Sequence, residues 1–166
     1  MVENEQAYYE TYAVIFDQPF TLQKKNRLFT ALMGGEPWSW RVVGITEAAL
    51  EELAKHELRH KNGLLCRAHL VERIETAKEF FTRRISRKEF FRRFFEMDDT
   101  IIALKKSENK RRDRPTYIPI DLDRKLFPSM KQVGWRHGPG ERAYLRELYA
   151  AYKAGKVALR TRLKEL

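Results

Sequence analysis

Residues 100–104 read Thr-Ile-Ile-Ala-Leu, a short apolar and β-branched run between Asp99 and Lys105. Such a run is typical of a strand that is buried on both faces of a sheet. Two further extended stretches, Trp38–Ile45 and Leu64–Val71, precede it along the chain. Helical patterns separate the three stretches, so the sequence predicts a small α+β fold, a mixed single domain with a helical C-terminus.

Helix start and stop signals surround these strands. Thr46 is a capping residue for an amphipathic helix that we expect to run to Asn62-Gly63. Ser86 and Glu89 form a capping box ahead of a phenylalanine-rich helix, and Pro139-Gly140 precede the last helix. Two further helices are expected, at Thr21–Met33 and Lys105–Arg112. Two further strands are expected, one at Tyr8–Phe16 and one at the edge of the sheet at Tyr117–Ile120. Beyond Gly155, we expect the basic tail Lys156–Leu166 to continue the last helix.

Length and composition restrict the class of protein. The chain has 166 residues and 43% hydrophobic residues, which suits one domain spanning 1–166. No apolar run approaches the roughly 20 residues that cross a bilayer, and the N-terminus is acidic where a signal peptide is basic. Cys66 is the single cysteine, so we expect a cytoplasmic protein without a membrane partner. The sequence has no glycine-rich phosphate loop and no Ser-His-Asp signature, which argues against kinases, dehydrogenases and esterases.

The charge balance predicts an anionic partner. Lys and Arg number 33 against 23 Asp and Glu, which gives a net charge of +10 and a pI near 9.8. The sharpest basic stretch is KKSENKRRDR at 105–114, with six cations and two anions. Its candidate phosphate-binding residues are Lys105, Lys106, Lys110, Arg111, Arg112 and Arg114. The alternative is a solvated surface that only maintains solubility.

Two stretches together carry a resemblance to a nuclease superfamily. Cys66-Arg67-Ala68-His69-Leu70 lies on a predicted strand, and Ser107-Glu108-Asn109-Lys110-Arg111 lies in a predicted helix after the Thr100–Leu104 strand. This order resembles the ββα-metal (HNH-like) nucleases over residues 64–114. Arg67-Ala68-His69-Leu70 looks similar to the Asp-Arg-Gly-His variant of that superfamily.

The sequence also departs from the superfamily pattern. Ala68 stands where several branches have aspartate, and Lys110–Arg114 stand where they have a second histidine. The spacing from His69 to Asn109 requires the segment Arg73–Met97 to be a helix inserted between the two strands.

The resemblance implies a metal-dependent DNA endonuclease of the restriction type. His69 would be the general base that takes a proton from the attacking water, and Asn109 would hold Mg²⁺ or Mn²⁺. Arg67 would stabilise the transition state. The partner would be double-stranded DNA, and a homodimer is expected because one site cuts one strand. Asp98, Asp99 and His137 are candidates for additional metal ligands.

Two other functions stay open at this stage. A non-catalytic nucleic-acid-binding module explains the charge equally well, with Trp38, Trp40, Trp135 and Tyr117 as candidates for stacking on bases. His56-Glu57-Leu58-Arg59-His60 matches the His-Glu-x-x-His motif of zinc hydrolases, with Cys66 or His69 as candidates for a third ligand.

Overall fold

The computed structural model describes residues 5–33, 41–60, 63–97, 99–108, 116–124, 126–127 and 137–161. In chain order the elements are α1 (Glu5–Asp17), α2 (Leu22–Met33), β1 (Val42–Ile45), α3 (Glu47–Lys55), β2 (Leu65–His69), α4 (Arg73–Phe81), α5 (Arg87–Phe94), β3 (Thr100–Leu104), β4 (Ile118–Pro119), a 3-10 turn (Leu122–Arg124) and α6 (Pro139–Lys153). None of the described helices is long and apolar enough to cross a membrane. The fold is α+β, as the sequence predicts.

The four strands form one mixed sheet in the order β2-β3-β1-β4. The central strands β1 and β3 are parallel, with Ile45 opposite Ile102. β2 runs antiparallel to β3, and β4 lies at the edge, antiparallel to β1. We call the end of the sheet where β1 and β3 finish, at Ile45 and Leu104, the carboxyl end. The opposite end, where β3 begins at Thr100, is the amino end.

Two apolar clusters hold the elements together. The first joins the sheet to α3 and α6, and its fully buried members include Ile45, Leu50, Leu53, Ile102 and Leu145. The second is an aromatic cluster of the four helices α1, α2, α4 and α5, centred on Tyr12, Phe29, Phe80, Phe90 and Phe94. The α4–α5 pair is inserted between β2 and β3, so the segment 73–97 contains two helices where the sequence predicts one.

Most of the local signals are confirmed. Thr46 Oγ1 accepts a hydrogen bond from Ala49 N at 3.2 Å, and Ser86 Oγ accepts one from Glu89 N at the same distance. The predicted helix Thr21–Met33 appears as α2, and the last helix begins at Pro139. The strands Leu64–Val71 and Thr100–Leu104 appear as β2 and β3, and β4 lies at the edge as Pro119 requires.

The strand predicted at Tyr8–Phe16 is wrong, because these residues lie in α1. Aromatic and β-branched residues favour strands intrinsically, but tertiary packing overrides that preference. Tyr12 and Ile15 are buried, three positions apart and therefore on one helical face. Tyr12 Oη also donates to the carbonyl oxygen of Phe80 at 2.9 Å, which fixes α1 against α4.

The helix that begins after Thr46 ends at Lys55, earlier than the predicted Asn62-Gly63. Glu57 and Leu58 have φ of 54° and 58°, in the left-handed region. Leu58 N donates to Leu53 O at 2.8 Å and Glu57 N to Ala54 O at 3.3 Å, which is the Schellman arrangement of a helix end. Leu58 thereby folds back into the apolar cluster beneath α3.

Three further boundaries differ from the sequence expectations. Within Trp38–Ile45 the strand covers Val42–Ile45, and residues 34–40 lie outside the described part. Residues 105–108 form a turn and not a helix, because Glu108 N closes a single turn on Leu104 O at 3.0 Å. The basic tail does not continue α6: Gly155 has φ 68°, and the described residues 156–161 are not helical.

Candidate nucleic-acid interface

His69, the predicted general base, lies at the amino end of the sheet. It is the last residue of β2 and pairs with Thr100 on β3. The next backbone contact, Leu70 N to Asp99 O at 3.0 Å, closes the ladder. Arg73, in the first turn of α4, donates from Nε to His69 Nε2 at 3.3 Å. That nitrogen therefore accepts a hydrogen bond here, and His69 is half-buried.

Arg67 lies on the same face of β2 as His69, because alternate residues of a strand share a face. Its partner across the ladder is Ile102, which belongs to the apolar cluster under α3 and α6. Arg67 Nη2 donates to the carbonyl oxygen of Phe127 at 3.3 Å, and burial lowers the pKa of the guanidinium. The structure thus brings Arg67 and His69 to one face, with Arg67 bonded to backbone.

Asn109, the predicted metal ligand, lies outside the described residues, as do Lys110, Arg111, Arg112 and Arg114. The two cations of the basic run that are described, Lys105 and Lys106, follow β3 at the carboxyl end. Four residues of β3 separate this end from the His69–Thr100 pair, which is about 13 Å along the strand. The structure therefore does not bring His69 together with Lys105 and Lys106.

The carboxyl end gathers exposed cations from distant parts of the chain. Tyr117, just before β4, pairs with Arg160: Tyr117 N donates to Arg160 O at 2.9 Å, and Arg160 N to Tyr117 O at 2.8 Å. Since Ile118 lies opposite Ile45, this bridge is at the same end of the sheet as Lys105 and Lys106. The side chains of Lys105, Lys106 and Arg160 are all exposed.

Glu108 organises this end of the sheet. Its Oε2 accepts hydrogen bonds from Thr46 Oγ1 at 2.7 Å and from Leu104 N at 2.8 Å. One carboxylate oxygen therefore joins the end of β3 to the residue that caps α3. The turn that carries Lys105 and Lys106 is fixed by these contacts, so both lysines project from an ordered base.

Several cations elsewhere in the described part have carboxylate partners. On and beside α4 and α5, ion pairs join Lys78 to Glu75, Arg83 to Glu89, Arg84 to Asp17 and Arg93 to Glu79. No ion pair to Lys105, Lys106 or Arg160 occurs among the described residues. The sequence follows the same division: residues 1–99 carry 16 cations and 16 anions, whereas 100–166 carry 17 cations and 7 anions. The excess charge therefore resides in the C-terminal segment.

A depression of about 400 Å³ adjoins Lys106. It is lined by the apolar residues Leu64 and Leu104 and by polar residues that include Glu52, His56 and Ser107. Cys66 is half-buried nearby on β2. Burial raises the pKa of the Cys66 thiol, and the Glu108 carboxylate adds to the rise. Cys66 is therefore a protonated thiol near neutral pH.

The His56-Glu57-x-x-His60 string does not lie on a helix. α3 ends at Lys55, and His56 is its capping residue. The Glu57 side chain is 80% exposed, next to Arg59. His56 Nε2 faces Glu52 Oε1 at 3.4 Å, whereas the His60 ring centroid lies 6.2 Å from that of His137. The two imidazoles of the motif are thus not placed one helical turn apart, which is the geometry that the zinc motif requires.

The other candidate ligands and stacking residues are dispersed. Among the described residues, no three or more His, Cys, Asp or Glu side chains converge in a group that could hold a metal. Asp99 is held by Arg41, and Tyr117 packs its ring over Gly44. Asp98, Trp38, Trp40 and Trp135 lie outside the described residues.

Sequence reasoning missed two residues that the structure places beside candidate sites. Arg160 reaches the carboxyl end through its pairing with Tyr117, a long-range contact without a local signal. Arg73 contacts His69, and its position four residues later, at the start of a predicted helix, could have indicated this contact.

No protein-family model, no curated protein and no solved structure matches the chain. The resemblance to ββα-metal nucleases therefore stays a prediction.

Proposed function

We propose that the protein binds the phosphate backbone of a nucleic acid at the carboxyl end of its sheet. The observation that carries this proposal is the group of Lys105, Lys106 and Arg160, three exposed cations at one end of the sheet without carboxylate partners among the described residues. Glu108, the last described residue before the rest of the basic run, and Tyr117, three residues after Arg114, lie at this same end. Phosphate contacts by lysine and arginine supply most of non-specific nucleic-acid affinity.

A surface that merely maintains solubility is less consistent with this charge distribution. Solubility is served by interspersed charges of both signs, as on and beside α4 and α5, where Lys78, Arg83 and Arg93 have carboxylate partners. The carboxyl end instead presents three exposed cations, and the carboxylate of Glu108 at this end is bonded to Thr46 Oγ1 and Leu104 N. It also lies beyond the ends of the two parallel strands, β1 and β3.

Fluorescence anisotropy with labelled duplex DNA, single-stranded DNA and RNA tests this proposal. The double variant Lys105→Ala/Lys106→Ala should lose at least tenfold in affinity, and Arg160→Ala should lose less. A double variant of the same charge change, Lys78→Ala/Lys88→Ala on α4 and α5, is the matched control and should bind like the wild type. Equal losses in the two double variants would show that net charge alone, and not the carboxyl end, determines binding.

A second candidate is metal-dependent hydrolysis of DNA phosphodiesters at His69. The specific observation in its favour is the antiparallel β2–β3 ladder that ends at His69, with Arg67 on the same face and Arg73 in contact. His69 lies about 13 Å along the strand from the carboxyl end, which is the length of about four nucleotides at 3.4 Å each. For His69 to act as a base, Arg73 must release Nε2, and Asn109 would hold the Mg²⁺ or Mn²⁺.

Incubation with supercoiled DNA, with Mg²⁺, with Mn²⁺ and with a chelator, tests hydrolysis separately from binding. The nuclease hypothesis predicts metal-dependent cleavage that His69→Ala abolishes while affinity stays within about twofold, because the base acts in the transition state. Cutting of both strands would require two copies of the chain, which light scattering on the DNA complex would detect. Bound but uncut DNA would leave the binding function and exclude this activity under those conditions.

A further inference from the structure

We propose that the depression beside Lys106 binds an unpaired base of a single-stranded nucleic acid. This inference rests on the proposed function, because it assigns to Lys106 a phosphate of the same strand. Lys106 is an exposed cation of the carboxyl end and also lines the depression, whose volume is about 400 Å³. Small-molecule sites in proteins typically have volumes of about 300–1,000 Å³, so the depression is large enough for one base.

Three segments of the chain form the depression, and hydrogen bonds hold them together. The segments are the end of α3, the residues just before β2 and the turn after β3. Lys105 N donates to Leu64 O at 3.0 Å, which ties the turn to the residue before β2. Glu108 Oε2 accepts from Thr46 Oγ1 at 2.7 Å, which joins the same turn to the capping residue of α3. The walls are therefore set by the fold, and binding requires little reordering of the chain.

The side chains of Leu64 and Leu104 give the depression its apolar surface. Both are half-buried and pack against the apolar cluster of the sheet, α3 and α6. An unstacked base places its flat face against apolar or aromatic side chains in this way. In a duplex the neighbouring bases cover both faces of each base. Contact with the two leucines therefore requires a base that is neither paired nor stacked.

Glu52 determines which part of a nucleotide the depression accepts. A hydrogen bond from Lys55 Nζ, at 2.8 Å, lowers the pKa of Glu52, so its carboxylate is ionised at neutral pH. His56 Nε2 lies 3.4 Å from the other carboxylate oxygen, and each oxygen has a second acceptor site. An ionised carboxylate repels phosphate but accepts hydrogen bonds from the N–H groups on the edge of a base. The phosphate therefore lies toward Lys106 and the base toward Glu52.

A substitution that narrows the depression without changing charge separates base binding from phosphate binding. Ser107 lines the depression and its side chain is exposed, so Ser107→Leu adds bulk there without disturbing the core. Fluorescence anisotropy should show about tenfold weaker binding of single-stranded DNA, as is typical when one base loses its contacts, and duplex affinity within about twofold of the wild type. Thr82→Leu, at an exposed residue that ends α4, is the matched control and should change neither affinity.

Equal effects of Ser107→Leu on single strands and on the duplex, or no effect on either, would overturn this inference. The proposed function would still stand if Lys105→Ala/Lys106→Ala weakened the binding of both. If the wild type binds neither single strands nor the duplex, the proposed function and this inference fail together.

Photocrosslinking of the wild-type chain gives a test that does not depend on a variant. Single-stranded DNA with one 4-thiothymidine attaches, on irradiation, to side chains in contact with that base. Mass spectrometry of the digested complex then identifies the attached residues. We expect attachment within residues 52–56, 63–66 or 104–107, the segments around the depression. Attachment confined to other parts of the chain would overturn the inference.

Discussion

Arg41 and Asp99 form a two-pronged ion pair at the amino end of the sheet. Arg41 Nε lies 2.9 Å from Asp99 Oδ1, and Arg41 Nη2 lies 3.0 Å from Oδ2. The two residues immediately precede the central parallel strands, and the carbonyl oxygen of Arg41 accepts from Thr100 N at 2.8 Å. The pair thus fixes the point at which the chain returns from the α4–α5 insertion into the sheet.

Asp99→Asn should lower the free energy of unfolding by about 1–3 kcal/mol, because it removes the negative charge of a side chain that is only 10% exposed and is hydrogen-bonded to the Arg41 guanidinium. Urea unfolding measures the change. Glu75→Gln, which breaks the exposed pair with Lys78, is the control and should cost less than about 1 kcal/mol. Equal effects of the two substitutions would show that Arg41 and Asp99 are no more than a surface pair.

Gly44→Ala should destabilise the sheet by about 1–3 kcal/mol, since a Cβ at this position would lie 2.9 Å from Ile118 O and closer still to the Tyr117 ring. The comparison is Gly140→Ala in the first turn of α6, where a Cβ meets no atom within 4 Å. That substitution should leave stability unchanged or raise it by up to about 1 kcal/mol. Thermal unfolding of both variants decides the matter, and a harmless Gly44→Ala would contradict the close packing of Tyr117 on β1.

Glu57→Gly should raise the free energy of unfolding by up to about 1 kcal/mol, because glycine adopts the left-handed conformation at a helix end without the steric cost of a Cβ. The Glu57 side chain is largely exposed, so little packing is lost. Denaturant unfolding measures the gain. A marked loss of stability would mean that the Glu57 side chain has a structural role that its exposure does not suggest.

The rate of alkylation of Cys66 should be low at neutral pH. It should still increase with pH above the pH at which the alkylation rate of an ordinary thiol reaches its plateau. The reason is that burial and the Glu108 carboxylate raise the pKa of this thiol, and only the thiolate reacts. The rate against pH, measured on the native chain and again in urea, gives the comparison. If the rate for the native chain rises at the same pH as that for the unfolded chain, or at a lower pH, the burial of Cys66 is contradicted.

Local signals were sufficient for much of the fold. The capping residues Thr46 and Ser86 and the apolar strand Thr100–Leu104 act through contacts within a few residues, and the structure places all three as the sequence predicts. The residue types of Tyr8–Phe16 favour a strand, and the helical spacing of this segment becomes decisive only when it packs in the aromatic cluster with α4 and α5. The early end of α3 depended on a left-handed Glu57, a conformation that the residue type does not favour.

The candidate site was less predictable because it depends on strand direction. Sequence order placed Arg67, His69 and Lys105 within one motif, but β2 and β3 run antiparallel, so His69 and Lys105 lie at opposite ends of the ladder. The pairing of Arg160 with Tyr117 joins residues distant in sequence. It leaves no pattern in a single sequence.

The salt dependence of DNA binding tests the central claim most directly. Affinity for a duplex should fall linearly with the logarithm of salt concentration, and each phosphate contact contributes about 0.9 to the slope. We predict that Lys105→Ala/Lys106→Ala reduces the magnitude of the slope by about two such units, whereas Lys78→Ala/Lys88→Ala leaves it unchanged. An unchanged slope in the first variant, or an equal reduction in both, would contradict a phosphate-binding site at the carboxyl end of the sheet.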